Sequence, residues 1–496
     1  MVKQGVGGEA KGRLEKVLVE RKEKLRGLVE AGVDPYVTKF ERSHLACDMK
    51  RVKEGGEVRV GGRVMGWREH GGAIFADLVD VSGKIQLYFQ EDRLGKEKFG
   101  SLKRIDLGDF MGVTGEKFVT EAGEVTVRVG DFWLLTKAVR PLPSVWHGLK
   151  DVEERYRQRY VDLMLNPEVR RVFEVRTQIL SLFREFMDKR GFLEVETPAL
   201  QPIYGGASAR PFTTHHNTLD TDLYLRISDE LYLKRLVVGG FEKVYEICKD
   251  FRNEGMDRWH NPEFTLMEFY WAYADYEDLM KMTEEMLSWI AKEVTGSYQV
   301  KYGDKVYDLT PPWPRVNLRD QILEDMGIDI DKVREEKELL AEIKKGKVKV
   351  ELGGVVGWAA LVDELFKKAS RPSISGPVFL KDYPYELKPL AKRKADDLTK
   401  TANFQLVLAG TEMLNAYNEL NDPEDQRKRW EEEMGLAKRG LAEYQVLDED
   451  YIRALEYGMP PTAGWGLGVD RWVAFLTDQH AVKDVILFPT LKPERK

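Results

Sequence analysis

Cysteine is almost missing from this chain. Cys47 and Cys248 are the only two in 496 residues, too few for a disulfide framework or a zinc site. No apolar run is long enough to cross a bilayer, and the opening segment MVKQGVGGEAKGRLEK has no apolar core of the kind a secretory signal carries. These absences predict a soluble protein of a reducing cytoplasm with no membrane partner. Positive charge is not in excess either. The formal net charge of −7 argues against a general nucleic-acid coat, although a local basic patch can still bind phosphate. The first sixty residues tilt the other way, with fourteen Lys and Arg against ten Asp and Glu.

What is present suffices for a large core: 43% of the residues are hydrophobic, enough for two or more domains. Leu14 to Ala31 places Leu14, Val17, Leu18, Leu25 and Leu28 on one helical stripe, with Lys and Arg covering the rest and Gly32 ending it. Residues 1–55 are read as this basic amphipathic helix and its lead-in. Five alternating runs follow (EVRVGGRVMGW, AIFADLVD, KIQLYFQ, DFMGVTGEKFV and EVTVRVGDFWLLTKAV), with a charged segment, Glu91 to Leu107, after the third. That order predicts an OB-fold barrel over 56–140. The prolines of RPLPSVWHG mark a linker, 141–155. Helical and strand patterns then mix over 156–496, which predicts an α+β domain with a Lys/Glu-rich insertion around 329–370.

Two stretches of that second domain carry chemistry. In the segment from Lys243 to Tyr270, two strand-like runs flank a polar loop. Period two puts Phe264, Leu266, Glu268 and Tyr270 on one strand face, and a hairpin would gather Arg252 and Glu254 over the same surface. On this segment alone, an Arg–Glu pair that satisfies itself explains the pattern equally well. The second stretch, GWGLGVDRWVAFLTD, joins close-approach glycines to an apolar helix carrying Arg471 near its start. Upstream, GFLEVETPAL reads as a helix end, a short strand and a proline.

These three elements resemble the signature motifs of class II aminoacyl-tRNA synthetases. The phrases FRNEG, HNPEFT, DYPYELKPLAK, NAYNELNDPEDQ and ALEYGMPPTAGWGLGVDR narrow the resemblance to the lysyl-tRNA synthetase family, over nearly the whole chain. It implies an N-terminal OB-fold barrel before a catalytic domain built on an antiparallel sheet flanked by helices. It also implies ATP and L-lysine as substrates, tRNA(Lys) as partner, magnesium as cofactor, and a homodimer meeting around Glu194 to Pro198.

The resemblance further implies residue roles. Arg252 bridges the lysine carboxylate and the α-phosphate, Glu254 holds adenine, and Phe264 and Arg471 sandwich it. His260 and Asn261 lie on the loop that meets the phosphates. Lysine selection falls to Glu419 with Tyr270, helped by Glu268, Asn415 and Tyr417, while Glu230 and Gly206 take the α-ammonium. Glu412 is a metal ligand, with Gln405 and Glu419 as further candidates. Gln405 stands where the family usually has a second Glu, one negative charge fewer. A second departure is Trp259 before the loop histidine, which makes Arg258 the candidate phosphate clamp. On the barrel, Phe75, Gln86 and Glu124 fall where anticodon contacts are made, with Arg68 a candidate for the backbone.

Three other readings compete. An aspartate or asparagine enzyme of the same class would call for a cationic pocket instead of Glu419. A protein-lysylating relative would lack the barrel. A tRNA-binding protein without chemistry is suggested only by Gln405 and Trp259.

Overall fold

The computed structural model describes residues 5–143, 149, 151–346, 357–438 and 445–494. The middle of the expected linker and residues 347–356 of the expected insertion lie outside the described residues. The chain divides into two compact units, Met1–Val152 and Glu153–Lys496.

The first unit begins with the expected helix, α1 (Gly5–Glu30). Leu28 of its apolar stripe is buried, and so is Arg21. Arg21 Nη1 donates to the Ala138 carbonyl at 3.0 Å, and Lys24 reaches Asp106 at 2.8 Å. Part of the basic surface read as solvated therefore anchors the helix. Five strands follow: β1 (Glu57–His70), β2 (Ala73–Asp80), β3 (Gly83–Gln90), β4 (Phe110–Val119) and β5 (Val125–Thr136). They close into a barrel in the order β1-β2-β3-β5-β4, with short helices between β3 and β4. This is an OB fold. Alternation decides which residues enter: Ile74, Ala76, Leu78, Ile85, Leu87 and Phe89 fill the interior.

The second unit centres on an eight-stranded sheet. Its strands are β6 (Leu193–Glu194), β7 (Lys243–Phe251), β8 (Glu263–Ala272), β9 (Arg315–Asn317), β10 (Val378–Lys381), β11 (Asn403–Leu408), β12 (Thr411–Asn418) and β13 (Thr462–Gly468). Their order is β9-β10-β11-β12-β13-β8-β7-β6. The five inner pairings are antiparallel, as expected, but both outermost ones are parallel. The sheet is thus mixed.

One face of this sheet packs on α2 (Pro167–Asp188) and a helix spanning Tyr276–Thr295. The latter starts cleanly because Asp275 accepts from the amides of Glu277 and Asp278 at 2.9 and 3.0 Å, which satisfies otherwise orphaned donors. Met267, Phe269, Trp465, Leu467, Phe404 and Leu406 face these helices. Burying each such side chain stabilises the fold by about 1.5–3 kcal/mol. The opposite face carries Glu268, Tyr270, Asn415, Tyr417 and Gly464, so period two separates core from site.

Within the expected insertion, helices at Glu336–Lys345 and Trp358–Leu365 join Leu318, Ile322, Phe366 and Tyr383 in a separate small core. That core makes the segment a packed subdomain. Lys and Glu occupy only the outward side of its Glu336–Lys345 helix, where Leu339 and Ile343 are buried.

Candidate active site

A cavity of about 330 Å³ opens on the polar face of the sheet. Its lining includes Gly206, Glu230, Arg252, Glu254, His260, Asn261, Phe264, Glu268, Tyr270, Glu412, Asn415, Tyr417 and Arg471. Segments separated by up to 265 residues thus converge on one space. Gln405, Glu419 and Arg258 are not among the lining residues.

The outer end is built by the loop between β7 and β8. The ladder continues one step past β7, with the Arg252 amide donating to the Pro262 carbonyl at 2.9 Å. This holds the Arg252 guanidinium 5.1 Å from the centre of the Phe264 ring, and its Nε donates to the Ile227 carbonyl at 3.3 Å. Asp257, unnoticed in the sequence, organises the loop. It accepts from the amides of Trp259 and His260 at 2.6 and 2.8 Å and from His260 Nδ1 at 2.8 Å. Burial pushes its carboxyl up, but these bonds outweigh that and hold it below the usual range. Arg471 Nη2 meets His260 Nε2 at 3.2 Å. An arginine can only donate, so His260 Nε2 accepts and its proton lies on Nδ1. Arg471 comes from the first turn of α3 (Val469–Leu476), and its Nη1 donates to the Glu412 carbonyl at 2.8 Å. Arg258 instead turns its Nε to the His480 carbonyl; Trp259 takes the place on the cavity wall.

The inner end has the opposite character. Glu230, Glu268 and Glu419 are 5%, 7% and 1% exposed. Tyr417 Oη donates to Glu230 Oε1 at 2.7 Å, Tyr270 Oη to Glu268 Oε2 at 3.0 Å, and Ser228 Oγ to Glu268 Oε1 at 3.3 Å. Burial, reinforced by the neighbouring charges of Glu230 and Asp250, pushes Glu268 up to about 8. Glu419 pairs with Lys234, which also reaches Glu230 at 2.6 Å. The two carboxylates overcome the burial of Lys234 and raise its pKa, so its charge persists. Lys234 is fully buried, and sequence reading missed it. Its spacing of four from Glu230 was the available signal.

Glycine is required at two places here. Gly206 has φ +84°, and a Cβ there would stand 2.9 Å from Ser228 Oγ. A Cβ on Gly464 would strike Glu419 Oε1 and come within 2.5 Å of Tyr270 Cε1.

The three metal candidates differ in their surroundings. Glu412 presents its carboxylate to the cavity, 3.7 Å from Arg371. The Gln405 amide oxygen is engaged by the Tyr383 hydroxyl at 2.6 Å. Glu419 lies seven residues beyond Glu412, roughly 23 Å along an extended strand.

On the barrel, Arg68, Phe75 and Gln86 share the outer face. Phe75 stacks on Tyr88 with centroids 4.7 Å apart, and Tyr88 meets Phe118 at 5.9 Å. Arg128 lies 4.5 Å over Phe118. Arg68 is held in a two-pronged pair with Asp77 at 2.9 and 3.1 Å, and Gln86 Oε1 accepts from Thr126 at 2.9 Å. Glu124 is exposed in the turn before β5. The aromatic ladder beyond Phe75 went unread, although Tyr88 shares the parity of Gln86.

Two family models match the chain. One, described as tRNA synthetases class II (D, K and N), covers residues 151–492; the other, an OB-fold nucleic acid binding domain, covers 58–135. Among curated proteins, the chain is 48% identical over 486 residues to the lysine–tRNA ligase of Carboxydothermus hydrogenoformans, an alignment covering 97% of this chain and 99% of that one. It is 49% identical over 487 residues to the lysine–tRNA ligase of Thermoanaerobacter pseudethanolicus, covering 97% of each.

Proposed function

Because this chain belongs to the class II tRNA synthetases, among the lysine–tRNA ligases, we propose that the cavity joins lysine to ATP and that the product's lysyl group then passes to tRNA. In the first step a lysine carboxylate oxygen attacks the α-phosphorus, and the bond to the β-phosphate oxygen breaks. Pyrophosphate leaves with the electron pair. In the second, a hydroxyl of the terminal adenosine of the tRNA attacks the lysyl carbonyl and AMP departs. The attacking carboxylate is already an anion, so the first step calls for placement and charge cancellation more than for a base.

Residue roles follow from the two ends. Arg252 bridges the carboxylate and the α-phosphate with a planar, permanently charged fork. Glu254 takes the adenine amino group, Phe264 and Arg471 flank the base, and His260, with Asn261 beside it, meets the outer phosphates. Inside, Glu230 and the Gly206 backbone receive the α-ammonium. Glu419 and Tyr270 receive the distal ammonium, with Glu268, Asn415 and Tyr417 completing the wall. The observation that carries this reading is the fully buried acidic end. Glu230 and Glu419 share one cation, Lys234, and Glu268 accepts from two hydroxyls and can ionise beside a bound ammonium, which suits a substrate with two ammonium groups.

Glu412 fits magnesium, a hard cation that accepts one or two carboxylates and keeps water while bridging phosphates. When bound there it supplies neutralising charge to the phosphates. Glu419 is instead paired with Lys234, and the Gln405 amide oxygen accepts from the Tyr383 hydroxyl.

The outer face of the barrel binds the anticodon, Phe75 by stacking and Gln86 by its amide, with Glu124 and Arg68 at the margin. We assign the chain to the cytoplasm and to a homodimer formed around Glu194 to Pro198, beside which Leu193 and Leu200 are each about half exposed. Lysine-dependent ATP–pyrophosphate exchange, run with arginine, ornithine, aspartate and asparagine as competitors and without tRNA, tests the reading. Exchange with lysine alone is expected; exchange with none of them sinks it.

A further inference from the structure

Lys388 lines the same cavity. Its Nζ donates to Asn415 Oδ1 at 2.9 Å and faces the Tyr383 ring 5.0 Å away. Asn415 lies on β12 between Glu412, at the basic end, and Glu419, at the acidic end. Lys388 therefore stands where the two ends meet.

Its company sets it apart. Lys388 is half-buried, and each of the three buried lysines among the described residues holds a carboxylate. Lys137 holds Asp106 and Asp109 at 2.5 and 2.8 Å, Lys234 holds Glu230 and Glu419, and Lys400 holds Asp331. No carboxylate among the described residues lies within ion-pair distance of Lys388. An ammonium has three donors, and among the described residues a single hydrogen bond, to Asn415, engages one of them. Keeping a charge in a desolvated wall without an anion is costly, and burial lowers the pKa of this group accordingly.

Glu412, Asp363 and Glu230 favour that charge from beyond ion-pair distance, but burial outweighs them. Gln405 pairs across the sheet with Asn415, and its neutral amide accepts from the hydroxyl of Tyr383, whose ring faces Lys388. A carboxylate at position 405 would place a negative charge next to this group. Gln405 leaves the ammonium free for a ligand.

We propose that Lys388 is a catalytic residue of the ligase reaction, a fixed ammonium that contacts the lysine carboxylate and the α-phosphate where they join. The inference rests on the reading of the cavity as the adenylation site. The ammonium keeps its proton throughout. It hydrogen-bonds a non-bridging oxygen of the α-phosphate, and the contact strengthens as charge builds there while the new P–O bond forms and pyrophosphate leaves. Arg252 acts on the same centre from the opposite wall.

The full-length protein carrying Lys388→Met, Lys388→Gln or Lys388→Arg tests this. In lysine-dependent ATP–pyrophosphate exchange, Lys388→Met and Lys388→Gln are expected to lower kcat by about 100-fold, with both KM values changed less than roughly threefold. Lys388→Arg should recover part of the loss. Calorimetry with two unreactive ligands supplies a second readout. Lysinol adenylate, which carries the phosphodiester anion, should bind the Met and Gln variants roughly tenfold more weakly. Lysinamide, which has no anion at the junction, should bind as before. Using Gln, which keeps a donor toward Asn415, separates loss of charge from loss of packing. An unchanged kcat, or equal weakening of both ligands, overturns the proposal. Failure of the unsubstituted protein to exchange with lysine would instead remove the adenylation reading itself.

Discussion

At one end of the cavity stand Arg252, His260 and Arg471, on a loop and a helix start, the histidine exposed and the two arginines partly so. At the other stand Glu230, Glu268 and Glu419, on a helix, a strand and the residue after a strand, none more than 7% exposed. On the proposed assignment, the difference follows from what each end has to recognise. A triphosphate brings several charges and its own hydration, and can be gripped by partly solvated arginines. A single distal ammonium distinguishes lysine from aspartate and asparagine, and only a dry carboxylate punishes its absence, because water would otherwise fill in for it. The acidic end is therefore dry and the basic end partly solvated.

Substitutions at the two ends should break this contrast unequally. Glu419→Gln, which leaves Lys234 one carboxylate and takes from the distal ammonium its proposed carboxylate partner, is expected to cut kcat/KM for lysine in pyrophosphate exchange by about 10⁴-fold. The KM for ATP should hold. Arg252→Ala should lower kcat by about 10²–10³-fold, read in the same assay with lysine binding measured separately by calorimetry and little altered. A change remote from both ends serves as the control. Phe75→Ala should weaken tRNA binding by about 1–3 kcal/mol, measured by filter retention, and leave exchange without tRNA untouched.

The smallest effect is a proton count. Glu268 is pushed up to about 8, so at pH 7 its carboxyl is largely protonated, and a bound ammonium favours the ionised form. Lysine binding should release up to one proton, measured by calorimetry in two buffers of different ionisation enthalpy. Glu268→Gln should abolish the release. The same shift has a sign for stability. With a folded-state pKa above its unfolded value, Glu268 contributes stability that is full below the unfolded value and lost as pH rises through about 8. Melting temperature without lysine should accordingly fall from pH 6 to pH 9, and fall less in Glu268→Gln.

How legible was this in the chain? The five barrel runs could be read because inward residues alternate with outward ones, and that period survives in the folded strands. The same period placed Glu268 and Tyr270 together and Met267 with Phe269 on the other side. The parallel pairings at both edges of the sheet escaped notice, since a strand of two or three residues leaves almost no pattern. Lys234 and Lys388 escaped for another reason. Each looks like an ordinary surface lysine in its own segment, and its burial is set by neighbours far along the chain.

Periodicity, turn residues and side-chain chemistry are local, so the order of residues alone settled the strands, the barrel, the hairpin and the inventory of charged groups. Folding settled which of those groups are dry, which cancel one another and which stand uncancelled. Glu419 meets Lys234 from 185 positions away, and the Asn415 that Lys388 reaches stands beside a neutral Gln405 only because β11 and β12 pair as they do. The strength of a charge depends on the dielectric and the partners around it, and both exist only once distant segments have packed together.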